Sequence, residues 1–240
     1  MRNQMHMLVM LSSLLIGTPS VAADDVVARL SVKLRVDPAD ITPGPMPGLY
    51  RVILGPQVAY ISADGRYLLQ GDIIDLADHS NLTADARNVA RLDYIKRIGE
   101  QNMIVFSPPH PKHTLTVLTD IDCQYCRMLA HDMPQLNALG VAVQYLPFPR
   151  AGVGSPSWGK AEQVWCAKDR QAAYLDAMLR NKVSGARCET NPVAAGYEFA
   201  RLMDAAGTPV IITEQGRLIE GYVPAEQMVE MLDQDASGAQ

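Results

Sequence analysis

The 240-residue chain has the composition of a globular protein: 48% of its residues are hydrophobic and 20% are charged, enough apolar material to bury a core. Its length suits one ordinary domain or two small ones. The formal net charge is −5 and no stripe of lysine and arginine appears, which argues against nucleic acid as a partner, since phosphate binding needs clustered positive charge.

Residues 1–23 have the pattern of a secretory signal peptide. Arg2 supplies a positive charge near the start, residues 7–16 form an apolar stretch, and Ala22 and Ala23 are small residues suited to signal peptidase. The apolar stretch is shorter than the ~20 residues that span a bilayer. We therefore expect cleavage after Ala23 and export to an oxidising compartment, where the four cysteines of the chain favour disulfides.

The next module, residues 24–80, is predicted to be a small sheet preceded by a helix or an irregular strand at 24–36. Residues 40–47 are rich in Pro and Gly and predict a loop. Three apolar runs separated by turn residues then predict an antiparallel meander. These runs span residues 49–54, 58–61 and 67–69. A sheet this small leaves exposed edges, and pairing with a second copy would bury them.

A helical linker, residues 81–102, is expected to follow the meander. Its centre is a helix over residues 83–99, where apolar side chains recur at helical spacing and Gly99 can end the helix. Basic residues, Arg91 among them, lie beside the apolar stripe and predict a solvated face.

The rest of the chain, residues 103–240, alternates strands and helices. The predicted order is a short strand, a strand–helix–strand unit, a helical section, two strands joined by a turn, and a closing helix before a loose tail after Asp233. These elements span residues 103–106, 114–119, 124–138, 141–146, 157–180, 192–206, 209–213, 217–220 and 225–232. The order predicts an α+β thioredoxin fold that carries an α-helical insertion.

Two cysteines, Cys123 and Cys126, fall where a buried strand gives way to a helix. Unpaired backbone N–H groups and the helix dipole favour an anion there. A thiol at this position loses its proton more readily, and the thiolate is the form that attacks disulfides. Cys123, nearer the exposed edge, is the expected nucleophile, and Cys126, one turn deeper, is the expected resolving thiol. The spacing predicts a redox-active dithiol.

The same Cys-x-x-Cys motif also occurs in structural zinc sites and in inert disulfides. A zinc site needs two more ligands at close spacing, but Cys166 and Cys188 are far apart in the sequence and no histidine forms a ligand pattern with them. No metal or organic cofactor is therefore expected. If Cys123 pairs with Cys126, then Cys166 and Cys188 remain as a second, structural disulfide that staples the helical section.

Two charged residues next to the motif have roles that the sequence leaves open. Asp122 could raise the pKa of the Cys123 thiol, because a carboxylate disfavours a neighbouring thiolate, or it could point away and cap the helix. Arg127 could stabilise the thiolate or simply lie in solvent.

The sequence resembles the bacterial periplasmic disulfide isomerases of the DsbC/DsbG type over nearly the whole mature chain. The shared motifs are Thr-Asp-Ile-Asp-Cys-Gln-Tyr-Cys at residues 119–126, Pro-Phe-Pro-Arg at 147–150, Gly-Thr-Pro at 207–209 and Gly-Tyr at 221–222. The resemblance implies that Thr208 and Pro209 form a cis-proline loop that faces the dithiol and binds the substrate backbone, with Tyr125 nearby. A trans proline that begins a strand is the alternative. Asp122 departs from the family, which usually has threonine there.

The resemblance also implies how the domains work together. Residues 24–80 would be a cystatin-like dimerisation domain, 81–102 the helical linker and 103–240 the catalytic domain. The protein would be a periplasmic homodimer whose Cys123 thiolate rearranges incorrect disulfides in misoxidised exported proteins. A membrane thiol reductase of the DsbD type would keep the dithiol reduced.

Two other functions stay open at this point. One is a monomeric dithiol oxidase or reductase, against which the N-terminal module argues. The other is a chaperone-like holdase whose cleft binds unfolded chains and whose dithiol is secondary.

Overall fold

The computed structural model describes residues 23–237, which form two sheets joined by a long helix. The predicted signal peptide, residues 1–23, lies outside the described residues apart from Ala23. Among the residues that are described, no helix is both long enough and apolar enough to cross a membrane.

The first unit is a four-stranded antiparallel sheet with one helix packed on it. Its elements are α1 (Ala23–Leu34), β1 (Ile41–Pro43), β2 (Leu49–Leu54), β3 (Gln57–Ser62) and β4 (Leu68–Leu69). The strands follow one another across the sheet in chain order, and β2, β3 and β4 are the three strands that the apolar runs predict. Val26 and Leu30, one helical turn apart, pack in one cluster with Val52 and Ile61 of the sheet. Their spacing explains why residues 23–34 form a helix.

The prediction of a loop over residues 40–47 is wrong at its beginning, where β1 forms. Ile41 is buried and pairs with Val52 of β2, and Pro43 ends the strand opposite Tyr50. The strand lies at an edge of the sheet, which is where the missing N–H of a proline is tolerated. The strand is only three residues long, and the Pro and Gly residues that follow it led to the prediction of a loop for the whole segment.

The linker helix α2 (Leu82–Ile98) begins after Asn81, whose side chain caps it, and ends at Gly99. The predicted solvated face is wrong for Arg91, which is half-buried and donates a hydrogen bond to the carbonyl oxygen of Gly216 at 3.0 Å. Burial lowers the pKa of Arg91 to about 10. The helix is therefore fastened to the second unit along its side as well as at its end.

The second unit is a five-stranded sheet covered by helices. Its strands are β5 (Ile104–Phe106), β6 (His113–Thr119), β7 (Val141–Pro147), β8 (Val210–Ile212) and β9 (Leu218–Glu220), and its helices are α3 (Gln124–Ala138), α4 (Pro156–Trp165), α5 (Arg170–Arg180), α6 (Val193–Leu202) and α7 (Ala225–Ala236). The strand order is β5-β7-β6-β8-β9, with β6 and β7 parallel and the other pairs antiparallel. This is the predicted thioredoxin-like α+β fold, and α4 to α6 are the predicted insertion.

The central strand β6 is buried on both faces. Leu115 and Val117 belong to the core cluster that α3 covers, whereas Leu118 belongs to the cluster that α6 covers. All three side chains are fully buried. Because apolar packing fixes both faces, the end of β6 is a rigid point from which the chain enters the next helix.

The tail that the sequence predicts after Asp233 is not loose at its start, because α7 continues to Ala236. Asp235 accepts hydrogen bonds from Thr213 Oγ1 at 2.6 Å and from Arg217 Nη1 at 2.9 Å. These contacts join the last helical turn to the turn between β8 and β9. No local pattern in the sequence predicts them.

Two glycines inside helices offer a test of the packing. A Cβ at Gly196 in α6 would overlap the backbone carbonyl oxygen of Pro147. Alanine is favoured over glycine in a helix by ~1 kcal/mol, yet Gly196→Ala should lower the free energy of unfolding by about 1–3 kcal/mol through overpacking. The measurement is urea denaturation of the oxidised protein.

The matched control is Gly159→Ala in α4. A Cβ at this position would meet the guanidinium of Arg187, the flexible end of a long side chain that can move aside. This variant should be as stable as the parent or more so. Equal stability of the two variants would contradict the close approach of α6 to β7.

Candidate active site

The dithiol sits at the junction of β6 and α3. A short turn follows Thr119, and Cys123 occupies the N-cap position of α3, where its sulfur accepts a hydrogen bond from the backbone N–H of Cys126 at 3.4 Å. In the thiol form, Cys123 Sγ donates to the carbonyl oxygen of Thr208 at 3.2 Å. The nucleophile predicted from the sequence is therefore itself the cap of the helix.

Exposure does not distinguish the two thiols, contrary to the expectation that Cys123 lies at an exposed edge. Cys123 is 3% exposed and Cys126 is 1% exposed, and neither forms a disulfide in this structure. The difference between them is electrostatic. The pKa of Cys123 is lowered to about 5, first by a hydrogen bond from the Cys126 thiol. Contacts with Thr208 and with the backbone N–H of Cys126 and the charge of Arg150 lower it further, whereas burial raises it.

The environment of Cys126 has the opposite effect. Burial raises the pKa of Cys126 well above its ordinary value, and the hydrogen bond it gives to Cys123 raises it further. At neutral pH Cys123 is therefore a thiolate and Cys126 a thiol, and the Cys126 thiol donates a hydrogen bond to the Cys123 sulfur. Of the two, Cys123 is equipped to attack a disulfide.

Asp120 organises the turn that carries Cys123. This carboxylate is 3% exposed; its Oδ1 accepts the N–H of Asp122 at 2.9 Å, and its Oδ2 accepts both the backbone N–H and the Nε of Arg150 at 3.0 Å. The pairing holds the guanidinium near the dithiol, where its charge favours the Cys123 thiolate. Sequence reasoning did not assign Arg150 a role, although it stands in the Pro-Phe-Pro-Arg motif.

Asp122 does not cap α3, so that alternative is wrong. Its carboxylate forms an ion pair with Lys160 of α4 at 2.6 Å, and about a third of each side chain is exposed. The lysine supplies a compensating positive charge next to a carboxylate that would otherwise oppose the thiolate. The helical insertion thereby contributes a residue to the surroundings of the dithiol.

Arg127 neither approaches the thiolate nor lies free in solvent. Its guanidinium donates to the carbonyl oxygen of Ile121 at 3.2 Å and to the side chain of Asn181 at 3.0 Å. These bonds connect the active-site turn to the end of α5. The cation that acts on the Cys123 thiolate is Arg150.

The loop predicted to face the dithiol does lie against it. The Thr208–Pro209 peptide bond is cis, and both residues are buried beside Cys123. The hydroxyl of Thr208 is buried without a hydrogen-bond partner in the described part of the chain. Tyr125, between the two cysteines, is 58% exposed and presents an aromatic surface next to them.

Cys166 and Cys188 form a disulfide with a Cα–Cα distance of 5.6 Å. The bond joins the end of α4 to the segment after α5, across the insertion. Cys166 is half-buried and Cys188 is exposed, so this disulfide lies at the surface. Within residues 23–237, no three His, Cys, Asp or Glu side chains are grouped so that they could hold a metal ion.

The chain matches known proteins over both structural units. The family of the disulfide bond isomerase protein N-terminal domain matches residues 18–84, and the family of the thioredoxin-like domain matches residues 100–236. The thiol:disulfide interchange protein DsbC of Escherichia coli (strain K12) is 35% identical over 215 residues, or 89% of each chain. DsbC of Dickeya dadantii (strain 3937) is 37% identical over 229 residues, or 94% of each.

A solved structure extends the comparison. The disulfide interchange protein from Neisseria gonorrhoeae is 29% identical, has a TM-score of 0.51, and aligns over 57% of this chain and 96% of that one.

The ion pair between Asp122 and Lys160 can be tested by the pH dependence of Cys123 alkylation. In the reduced parent protein the rate should be half-maximal near pH 5. Lys160→Ala leaves the Asp122 charge uncompensated, which disfavours the thiolate and should raise the Cys123 pKa, by less than ~1 unit because the pair is partly solvated.

The double variant Lys160→Ala/Asp122→Asn removes both charges and should return the half-maximal pH to the parent value. A midpoint that stays raised in the double variant would show that Lys160 acts independently of Asp122.

Proposed function

The chain belongs to the family of DsbC thiol:disulfide interchange proteins, and from this premise we propose that it is a periplasmic disulfide isomerase that rearranges incorrect disulfides in exported proteins. The identity of 35–37% over most of the chain supports the family, and interchange of thiols and disulfides is its enzymatic activity. The observation that carries the finer proposal is the opposed pKa shift of Cys123 and Cys126 within one helical turn.

The reaction begins when the Cys123 thiolate attacks one sulfur of a wrong disulfide. A mixed disulfide forms, and the other substrate sulfur leaves as a thiolate. A second substrate thiol can then attack, which releases Cys123 and gives the substrate a new pairing. Alternatively, Cys126 attacks Cys123, so that the substrate leaves reduced and the enzyme dithiol is oxidised.

Three residues beside the nucleophile are proposed to bind the substrate. The Thr208 carbonyl lies 3.2 Å from Cys123 Sγ, and the loop it shares with Pro209 offers a backbone surface along which an extended chain could pair. The exposed ring of Tyr125 provides apolar contact for unfolded segments, which expose such side chains.

The isomerase works from the dithiol state, so it needs an electron donor whenever Cys126 completes a reduction. We assign this role to a membrane thiol reductase of the DsbD type. The free Cys123 thiolate is the group that such a reductase must regenerate, and the surface disulfide between Cys166 and Cys188 would persist through the cycle as a structural bond.

The first unit is proposed to form a homodimer through the edge of its sheet. Leu68 and Leu69 of β4 are 56% and 43% exposed, and Tyr67 beside them is 59% exposed. Apolar edge strands of this kind readily pair with another chain. Two copies joined here would hold two dithiols around one substrate and raise their effective concentration.

Recovery of activity from a scrambled multi-disulfide enzyme tests the proposed reaction. The parent protein, supplied with reductant, should restore activity, and Cys123→Ser should reduce the recovery to the level without protein, because no thiolate remains to attack. The same variant should still suppress aggregation of the unfolded client if its surface is intact.

Two outcomes would contradict isomerase activity. A Cys123→Ser protein that isomerises normally would remove the nucleophile from the mechanism. A parent protein that oxidises or reduces the client but never recovers activity from the scrambled form would favour the simple oxidase or reductase.

The proposed dimer can be tested in the full chain with Leu68→Glu/Leu69→Glu, which puts like charges on both copies of the edge. Sedimentation should find a monomer that keeps reduction of a small disulfide and loses most isomerase activity. The control is Leu139→Glu, at an exposed position in the second unit, which should stay dimeric. A double variant that remains dimeric, or a monomer that isomerises as well as the parent, would refute this edge as the functional interface.

A further inference from the structure

A histidine with both ring nitrogens in hydrogen bonds lies at the start of β6, at the opposite end of the strand from the dithiol. His113 is 7% exposed. Its Nδ1 lies 2.9 Å from Glu214 Oε1, in the turn between β8 and β9, and its Nε2 lies 3.1 Å from Asp233 Oδ1 of α7. Three elements that are far apart in the sequence therefore meet at this ring.

These contacts determine how many protons the ring carries. An ionised carboxylate can only accept hydrogen bonds, whereas a neutral imidazole has one N–H and one lone pair. Only an imidazolium, with an N–H on each nitrogen, can donate to Glu214 and Asp233 together. Burial lowers the pKa of His113, but the hydrogen bonds and charges of the two carboxylates outweigh it, so that this pKa lies above its ordinary value of 6.5.

The charged groups around the ring act in the same direction. Glu214 faces it from the turn between β8 and β9 and Asp233 faces it from α7, and within residues 23–237 no third charged side chain forms an ion pair with it. Lys112, its neighbour in the chain, extends past Gly140. The adjacent strand β7 contains no charged residue. The two carboxylates therefore govern the titration of the ring.

The two bonds differ in what can replace them when the ring loses a proton. The Glu214 side chain is 27% exposed, and its second oxygen accepts the backbone N–H of Thr114 at 2.9 Å. The Asp233 side chain is 69% exposed, so water can solvate its carboxylate once the bond is gone. A neutral ring therefore keeps its proton on Nδ1, toward Glu214, and loses the bond to α7.

We propose that His113 is a pH-sensitive clasp: with two protons its ring fastens the last turns of α7 to the sheet, and with one proton it releases Asp233. The inference goes beyond the proposed function and does not depend on it. Met228 and Leu232 of α7 pack in the same core cluster as Leu136 of α3, the helix that carries the dithiol. Loss of the clasp therefore loosens the cover over the far end of α3.

The direction of the pH dependence follows from linkage. Because the pKa of His113 in the folded protein lies above the 6.5 of an unfolded chain, the clasp stabilises fully below pH 6.5 and is lost as the pH rises through the folded-state value. Asp235 provides a second attachment of α7, to Thr213 and Arg217, but an arginine stays charged throughout this range. Only the attachment at His113 should weaken in mildly alkaline solution.

Hydrogen exchange of the full chain between about pH 6 and about pH 9, with each rate corrected for the chemical effect of pH on exchange, tests the clasp. The protein is used with Cys123 and Cys126 oxidised, so that no active-site thiol titrates. Protection of the amides in the last turns of α7 should fall about tenfold over this range, the scale expected for the loss of one hydrogen bond to a charged group. NMR titration of the His113 ring should give a midpoint above 6.5.

Asp233→Asn removes the carboxylate and leaves a side-chain amide, which can accept a hydrogen bond from a ring N–H or, turned over, donate one to a ring lone pair. The His113 midpoint should fall, and protection of α7 should no longer depend on pH. The matched control is Asp235→Asn, near the same end of the helix. It should lower the protection of α7 to the same extent at every pH and leave the dependence on pH unchanged.

Three results would overturn the clasp: a His113 midpoint at or below 6.5, protection of α7 that does not fall as the pH rises, or an Asp233→Asn profile that still follows that of the parent. None of these measurements involves the thiols of the active site. Their failure would leave the proposed isomerase function standing, and failure of the isomerase assay would leave the clasp standing.

Discussion

The chemistry of this protein depends on one constraint: the chain leaves a rigid central strand and begins a helix at a cysteine. Because Cys123 is the N-cap, its sulfur meets the unpaired N–H of Cys126, and the second thiol, one turn further on, is enclosed by the core. The same turn therefore lowers one thiol pKa to about 5 and raises the other. The proposed mechanism uses this asymmetry, since its first step needs a stable thiolate and its second step needs a thiol that is still protonated.

Three parts of the fold maintain this geometry. The sheet supplies the fixed end of β6. The ion pair between the buried Asp120 and the exposed Arg150 shapes the turn and adds a positive charge, and the insertion brings Lys160 to Asp122. The insertion also provides Tyr174, which packs in the same core cluster as the two thiols. The helical insertion thus contributes to the electrostatics of the site as well as to the shape of the domain.

Local sequence patterns were sufficient to predict most elements and the position of the dithiol. Helix α3 is predicted at the observed residues, 124–138, because a buried strand, turn residues and helical composition follow one another there.

The predictions fail where tertiary contacts decide the structure. The short edge strand β1 depends on pairing with β2, the last turn of α7 depends on Arg217, and the burial of Arg91 depends on the second unit. The sequence likewise could not identify Arg150 and Lys160 as partners, since the residues they meet lie 30 and 38 positions away.

The central claim is that Cys123 alone forms the mixed disulfide with client proteins. Its most direct test is a trapping experiment with Cys126→Ala, which removes the resolving thiol and should allow the intermediate to accumulate. After incubation of this reduced variant with a scrambled client, peptide mapping by mass spectrometry should find client cysteines linked to Cys123, with the Cys166–Cys188 bond intact. Client peptides linked mainly to Cys166 or Cys188, or no mixed disulfide at all, would contradict the account.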